Sequence, residues 1–300
     1  MTSTPSIERV SLGELTCWQI RHQGAELLVA EQGAQVLRYI PAGQRPLIWL
    51  SEQAILERGR SVRGGVPVCW PWFGDLSRNP EAVRSMQAAA DTAPAHGHVR
   101  ARNWTLSETQ SQGMAGLVFV YDTRTDPLPG WPHDAELKLE IHLDDALHLR
   151  LTTRNRGATE LAFSQALHTY FAVSDVRKLA LEGMANRAYI ETLDDWSRRT
   201  QTDEPVIDRE TDRIYLGLPA QLSVLDRDWN RRIELITEGS RSAVLWNPWI
   251  DKAKRLSDFS DDAWQRMLCI ETANVLDDYV RLASDASHTL GVSLASKPLT

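Results

Sequence analysis

Apolar and polar residues alternate with a period of two through much of this chain. The alternation is clearest over residues 135–143 (AELKLEIHL) and 147–152 (LHLRLT), with Asp144 and Asp145 between them. A period of two turns one apolar face toward a core and the other face toward water. These segments therefore predict an antiparallel hairpin that turns at the two aspartates.

Similar strand patterns recur along the chain, at 27–30, 35–40, 117–121, 179–181, 222–225, 232–236, 243–246 and 290–294. Helical patterns are few: one or two turns at 51–58 and a short helix at 260–267. Many strands, little helix and no β–α alternation predict an all-β fold of packed antiparallel sheets. No composition shift or linker divides the chain, so residues 1–300 are expected to form one β-sandwich domain.

Charge and cysteine content narrow the class of protein. The 300 residues carry a formal net charge of -7 without any Lys/Arg block, which argues against binding nucleic acid or an anionic membrane. Cys17, Cys69 and Cys269 form neither a C-x-x-C pair nor a disulfide framework, a pattern typical of a reducing compartment. With no leader-like N-terminus and no long apolar run, we expect a cytoplasmic protein, monomeric by default.

Two ionisable residues lie in strand-like apolar runs, where an unpaired charge is costly. Glu271 lies in LCIETANV and His168 in LAFSQALHTYF. Together they could act as a base and an acid in proton transfer. Each also has a structural interpretation: His168 as a core histidine bonded to a backbone carbonyl, and Glu271 as a carboxylate that caps a turn at 272–274.

Two other segments depart from the alternating pattern. In the loop 61–75 (SVRGGVPVCWPWFGD), glycines after Arg63 allow a close approach to a ligand and the tryptophans could stack on a sugar, although rigid closure of one end of the sandwich is an equal alternative. The segment AHGHVR contains His96, His98 and Arg100. Its histidines lack further ligands at metal-like spacing, so we expect no metal site. Arg63 and Arg100 suit a phosphate or a carboxylate.

Six short motifs follow one another along the chain: RGGVP at 63–67, HGHVR at 96–100, HTYF at 168–171, ETDRIY at 210–215, WNPW at 246–249 and ETAN at 271–274. In this order, and over about residues 25–295, they resemble the hexose-6-phosphate mutarotase branch of the aldose 1-epimerase family. The resemblance implies a galactose-mutarotase-like β-supersandwich. It also implies an isomerase that interconverts the α and β anomers of a sugar phosphate, glucose 6-phosphate first among them, without cofactor or metal.

The resemblance also implies roles for individual residues. His168 would be the general acid and Glu271 the general base, and the expected working state at neutral pH is an ionised Glu271 facing a protonated His168. Four more residues would line the sugar or phosphate site: Arg63, His96, Arg100 and Asp212. One position departs from the family pattern, because His98 stands where an aromatic or aliphatic residue is common; this bears on the shape of the phosphate end.

Other functions remain open at this point. The chain could act on unphosphorylated hexoses, or it could be a sugar-binding sandwich without turnover. A glycoside hydrolase would use two carboxylates around the scissile bond, whereas the partner of Glu271 is expected to be His168. A lyase or isomerase of sugar acids is the most distant alternative. The pair Arg63 and Arg100 in an acidic protein favours a phosphorylated sugar.

Overall fold

The computed structural model describes residues 4–88, 93–111 and 114–299. Antiparallel strands account for most of its regular structure. Near the N-terminus, four strands pair in chain order: β1 (Ser6–Leu12), β2 (Leu15–His22), β3 (Ala25–Ala30) and β4 (Val36–Ile40).

Two larger sheets follow, each of eight strands. The first, called the back sheet, has the spatial order β13 (Ala180–Glu182), β17 (Gln221–Asp226), β18 (Arg231–Glu238), β22 (Ser287–Pro298), β9 (Leu147–Asn155), β8 (Ala135–Leu143), β7 (Ala115–Asp122) and β6 (Thr105–Gln110). The second, called the site sheet, has the order β15 (Ser197–Thr200), β14 (Ala188–Glu191), β16 (Thr211–Leu216), β19 (Ser242–Asn247), β20 (Met267–Asn274), β11 (Gln165–Leu167) and β5 (Val68–Cys69). An eighth strand, β12 (Tyr170–Ala172), also pairs with β20.

The remaining elements are short. β10 (Leu161–Phe163) pairs with β21 (Val280–Leu282). The described helices are α1 (Glu81–Arg84), α2 (Trp249–Ala253) and 3₁₀ turns at Leu76–Arg78, Val99–Ala101, Val176–Lys178, Ala263–Arg266 and Leu276–Asp278. None of the helices in the described ranges is long and apolar enough to cross a bilayer.

The hairpin expected from the alternating pattern is confirmed. β8 and β9 pair antiparallel, with Leu143 opposite Leu147 across the two aspartates. Along β8 every second residue is buried, from Ala135 to Leu143. The other predicted strands also form, with ends that differ by a few residues, so the all-β prediction is confirmed.

The helix expected at 51–58 is wrong, because this segment forms turns whose polar groups bond elsewhere. The Ser51 hydroxyl donates to the carbonyl of Asp258 at 2.6 Å, and the Leu56 carbonyl accepts from the Glu14 amide at 2.9 Å. Only part of the second helical prediction, Ala263–Arg266, is helical, as a 3₁₀ turn. Tertiary hydrogen bonds replaced the local ones that a helix would need.

One hydrophobic core joins the two large sheets, because β20 packs against β22 and side chains of both sheets belong to one buried cluster. The loop 61–75 is part of this core: Trp70 is fully buried and Trp72 nearly so. Trp70 packs edge-on against Trp131 from the far side of the cluster, with ring centroids 4.8 Å apart. The loop is therefore a rigid wall, whatever its role toward a ligand.

Gly97 is required where the chain crosses this wall. It has a φ of +71°, and a Cβ added there would lie 2.1 Å from the carbonyl oxygen of Trp70. The same carbonyl accepts a hydrogen bond from the amide of His98 at 2.9 Å, so the backbone around Gly97 is in direct contact with the backbone at Trp70. No side chain fits between them without moving the strand that holds Trp70.

We predict that Gly97→Ala destabilises the protein much more than Gly217→Ala. Gly217 has a similar φ of +66° but open space around its missing Cβ. The control should therefore cost only the left-handed backbone strain of about 1–2 kcal/mol, and Gly97→Ala should add a backbone clash to this cost. Urea midpoints of both variants measure the difference, and equal midpoints would show that the wall yields freely at Gly97.

Candidate active site

One face of the site sheet forms the floor of a cavity of about 500 Å³. Two rows of side chains cross this face from β11–β12 through β20 and β19 to β16. The first row contains His168, Glu271, Val244 and Ile214, and the second contains Tyr170, Cys269, Trp246 and Asp212. All of these except Cys269 line the cavity; Cys269 lies between Tyr170 and Trp246 in its row and is fully buried.

The register of the site sheet places His168 directly opposite Glu271. β11 pairs with β20 so that Leu167 faces Thr272, and β12 continues in the same register beyond it. Residues directly opposite each other in antiparallel strands have Cβ atoms about 4.5–5.5 Å apart. In agreement with this, His168 Nδ1 lies 3.4 Å from Glu271 Oε2.

The run LAFSQALHTYF was expected to be one alternating strand, and here the structure differs. It divides into β10, which pairs with β21, and β11 and β12, which both pair with β20. At the break between β11 and β12, the His168 amide donates to the Pro67 carbonyl at 3.0 Å, so the loop 61–75 forms the outer edge of this region. The imidazole stacks on Tyr170 with ring centroids 4.7 Å apart and planes 4° apart.

His168 and Glu271 are almost completely enclosed, with 7% and 1% of their surfaces exposed. His168 Nδ1 and Glu271 Oε2 nevertheless have no hydrogen-bond partner among the described residues. Glu271 lies inside β20 and caps no turn, and no described backbone carbonyl accepts from the buried His168 Nδ1. The interpretation of Glu271 as a turn cap is therefore wrong, and buried polar groups without partners are typical of a functional site.

His96 completes one wall of the cavity. Its Nδ1 accepts the amide of Gly74 at 3.3 Å, which places the ring proton on Nε2. The His96 and His168 ring centroids are 5.4 Å apart. Arg63 also lines the cavity, near Tyr170.

Asp212 lies at the far end of its row, opposite Trp246 on the neighbouring strand. Its Oδ2 is 4.0 Å from the Nζ of Lys252, which also lies 3.2 Å from Glu210. Asp212 and Lys252 both line the cavity. Burial raises the pKa of the Asp212 carboxyl, and the nearby lysine opposes this increase.

Arg100 and His98 lie behind the cavity wall, outside the lining. The Arg100 guanidinium donates to the Ala95 carbonyl at 2.8 Å. His98 packs edge-on against Trp72, with ring centroids 5.0 Å apart. The unusual histidine at position 98 therefore packs on the wall from outside the lining, and the charge of Arg100 acts on His168 and His96.

Several lining residues were missed from the sequence. Arg78 lies 5.2 Å from the ring centroid of Trp196, and both face the cavity. Lys252 lies 6.0 Å from the ring centroid of Trp246, on the helix α2 that follows WNPW. Neither arginine of the lining, Arg63 or Arg78, has a described carboxylate within ion-pair distance, so both charges are available to a ligand.

Burial opposes charge on both members of the central pair. It raises the pKa of Glu271 well above its usual range, and the nearby Asp212 adds to this effect. It lowers the pKa of His168 well below its usual range, followed by the effects of His96, Arg100 and Arg63. Burial therefore opposes the ion pair expected at neutral pH and favours the neutral pair.

His96 is neutral for the same reason. Burial first, then the charges of Arg100 and Arg63, lower its pKa to about 3. Its Nε2–H is thus a neutral donor that does not compete for the proton of the central pair.

A thiol also lies within reach of the central pair. Cys269 is next to Glu271 in its own strand face, and one ligating atom from each of Cys269, His168 and Glu271 lies within 4.8 Å of the other two. Sequence spacing alone did not reveal this group. Cys269 and Glu271 come from one face of β20, whereas His168 comes from the neighbouring strand segment.

Comparisons with known proteins agree with this architecture. A curated relative from Escherichia coli K12, named "Putative glucose-6-phosphate 1-epimerase", is 33% identical over 90% of this chain and 87% of its own length. A relative from Cenchrus ciliaris with the same name is 30% identical over 81% of this chain and 73% of its own length.

Solved structures share the fold. One from Salmonella typhimurium, described as a "putative mutarotase", superposes with a TM-score of 0.85 at 27% identity, covering 97% of this chain and 94% of that one. The galactose 1-epimerase of Lactobacillus acidophilus superposes over the full length of both chains with a TM-score of 0.71 at 14% identity, which supports the fold alone. Residues 16–295 match the family model described as Aldose 1-epimerase, and the chain belongs to the aldose 1-epimerase family.

Proposed function

We propose that this protein is a hexose-6-phosphate 1-epimerase that interconverts the α and β anomers of glucose 6-phosphate. The observation that carries the proposal is the enclosed pair of His168 and Glu271, 3.4 Å apart on the floor of a sugar-sized cavity. Anomer exchange needs one group that takes a proton and one that gives a proton at a single hemiacetal centre, and this pair supplies both.

The reaction moves two protons and breaks one ring bond. Glu271 takes the proton of the hydroxyl on the anomeric carbon, while His168 delivers a proton to the ring oxygen. The bond between the anomeric carbon and the ring oxygen breaks, and the open-chain aldehyde forms. After rotation about the bond between the first two carbons, the ring closes on the other carbonyl face and both protons return.

The buried setting favours the opening step. Because His168 Nδ1 faces Glu271, His168 Nε2 is the nitrogen that can reach the ring oxygen. Ring opening converts an ionised Glu271 and a protonated His168 into two neutral groups. Burial favours the neutral pair, so it makes the bound ion pair a stronger acid and a stronger base than the same groups in water.

The cations of the cavity support a phosphorylated substrate. Arg63 and Arg78 line the cavity without a carboxylate partner in the described part of the chain, and Lys252 is a third cation of the lining. Charge-assisted hydrogen bonds to phosphate contribute about 1.5–3 kcal/mol each. The curated relatives named for glucose 6-phosphate are consistent with this choice. Arg100, behind the wall, would add only long-range attraction.

The rest of the cavity suits a hexose. Trp196 and Trp246 offer aromatic faces to the sugar ring, while Asp212 and the Nε2–H of His96 offer an acceptor and a donor for its hydroxyls. Each of these groups is held by a neighbour in the sheet or wall. We infer that they set the orientation of the ring over the central pair.

We predict that Glu271→Gln and His168→Ala each slow anomer exchange by about 10²–10⁴-fold, because each removes a positioned proton-transfer group. Exchange spectroscopy by NMR on glucose 6-phosphate measures the rate. Glu234→Gln is the control, since Glu234 is a strand carboxylate of the back sheet that pairs with Lys297 at 2.7 Å. Full turnover by Glu271→Gln would remove Glu271 from the role of base.

We predict a strong preference for glucose 6-phosphate over glucose, and a loss of that preference in Arg78→Gln. Removing one charge-assisted contact should lower the ratio of the two kcat/KM values by about tenfold or more. The same NMR experiment on both sugars gives the ratio. Comparable wild-type rates on both sugars would instead identify an epimerase of unphosphorylated hexoses, and binding without any acceleration would identify a sugar-binding protein.

We predict that Glu271→Gln is more stable than the wild type and that its advantage grows with pH. The folded-state pKa of Glu271 is raised above the usual 4.5, so folding takes up a proton between these two values. Over that window the wild type loses up to about 1.4 kcal/mol per pH unit relative to the variant, and below it the difference between them no longer changes with pH. Urea midpoints at about pH 4 and pH 8 test this, and a pH-independent difference would contradict it.

A further inference from the structure

We propose that the floor of the cavity also holds an inhibitory site for a thiophilic divalent cation, best matched by Zn²⁺. Its ligands would be Cys269 Sγ, His168 Nδ1 and Glu271 Oε2. The cation would not take part in the reaction, since it would occupy the atoms that link the acid and the base.

The sheet register supplies the geometry. Cys269 and Glu271 are two residues apart on one face of β20, and His168 lies opposite Glu271. The three ligating atoms lie within 4.8 Å of one another, and His168 Nδ1 and Glu271 Oε2 are 3.4 Å apart. In a tetrahedral zinc site the ligating atoms are about 3.3–3.6 Å apart. Small side-chain rotations therefore bring all three into bonding range.

Two independent observations show that these atoms have no structural partner among the described residues. His168 Nδ1 and Glu271 Oε2 are buried without a hydrogen-bond partner in the described ranges, in side chains that are more than nine-tenths enclosed. Cys269 is fully buried as a free thiol. A cation placed among them would satisfy two groups whose desolvation is otherwise uncompensated.

The ligand set selects the kind of metal. One thiolate, one imidazole and one carboxylate suit Zn²⁺, whereas Mg²⁺ and Ca²⁺ require several oxygen ligands. Three protein ligands leave a fourth position, on the side of the cavity, for water or a sugar hydroxyl. Binding releases the thiol proton of Cys269, together with any proton held by the central pair. Because binding releases these protons, affinity should increase with pH.

The consequence for turnover rests on the proposed function. A cation on Oε2 of Glu271 withdraws charge from its carboxylate and so weakens it as a base. A cation on Nδ1 of His168 fixes the tautomer with no proton on that nitrogen, so the imidazole cannot become the doubly protonated acid. The cation would therefore block the proton transfers even in a protein whose cavity still holds the sugar.

Metal binding itself can be measured without activity. Titrations of the wild type with Zn²⁺ against a chromophoric chelator give affinity and stoichiometry, and Co²⁺ gives a thiolate charge-transfer band. We expect one ion per chain and a Co²⁺–thiolate band. Cys269→Ser and Cys269→Ala should each bind at least tenfold more weakly and lose the band. Cys17→Ser, which removes a buried thiol of a separate core cluster, should match the wild type.

Three results would overturn the proposal: no zinc binding by the wild type at micromolar concentrations, unchanged affinity in both Cys269 variants, or a Co²⁺ complex without the thiolate band. Two substitutions at Cys269 are used because a hydroxyl buried at that position could disturb folding, and circular dichroism of each variant checks this. A second thiol lies near the cavity, with Cys69 Sγ 3.5 Å from His96 Nδ1. Loss of the band in Cys69→Ser alone would transfer the site to that pair and would also overturn the assignment.

Inhibition is tested separately, with free Zn²⁺ held constant by a metal buffer. Anomer exchange by the wild type should fall as the measured site fills, and exchange by Cys269→Ala, relative to its own metal-free rate, should not. If the wild type shows no exchange with any hexose, the proposed function fails, but the binding titrations still decide the metal site. If exchange is fast and insensitive to zinc at full occupancy, the inhibitory role fails while the proposed function stands.

Discussion

The pairing register of β11–β12 with β20 is the constraint on which the site depends. His168 and Glu271 are far apart in the chain, and only this register makes them cross-strand neighbours. A slip of one strand by one residue would turn its side chain to the opposite face of the sheet and separate the pair. The register is in turn held by the core, because all eight residues of β20 are buried and β19 and β11 flank the strand on both sides. The packing that stabilises the sandwich therefore also positions the chemistry.

Enclosure of the central pair has a cost and a use. Two polar atoms without partners reduce stability, and the shifted pKa values of Glu271 and His168 record the same penalty. Burial destabilises the charged forms of both groups. Ring opening converts the ion pair into two neutral groups, so this destabilisation favours the reaction. The same unsatisfied atoms, together with the thiol of Cys269, form the ligand set of the proposed cation site. Proton transfer and metal affinity would then have one physical cause.

Local pattern was sufficient to predict the strands but not their assembly. The alternation over 135–152 predicted β8, β9 and their turn, because the residues that decide a hairpin are adjacent in sequence. The division of LAFSQALHTYF into three strands and the turns at 51–58 were not predictable, because hydrogen bonds to distant segments decide both. The alternation within one segment does not specify which other segment it pairs with.

The site residues were also only partly predictable from the sequence. His168 and Glu271 stood out because ionisable groups are rare in apolar strands, and His96, Arg63 and Asp212 followed from motifs. Arg78, Trp196 and Lys252 gave no signal, since they reach the cavity from turns and from the short helix α2, whose positions only the tertiary fold sets. Arg100 had the right chemistry, but it is not among the residues that line the cavity, and its guanidinium bonds to the Ala95 carbonyl.

The most direct test of the account is a crystal structure with glucose 6-phosphate bound. We expect the anomeric hydroxyl within hydrogen-bond distance of the Glu271 carboxylate, the ring oxygen within the same reach of His168 Nε2, and the phosphate among the cations of the lining. A sugar bound with its anomeric carbon away from both groups would contradict the assignment of this pair as the acid and base of the reaction.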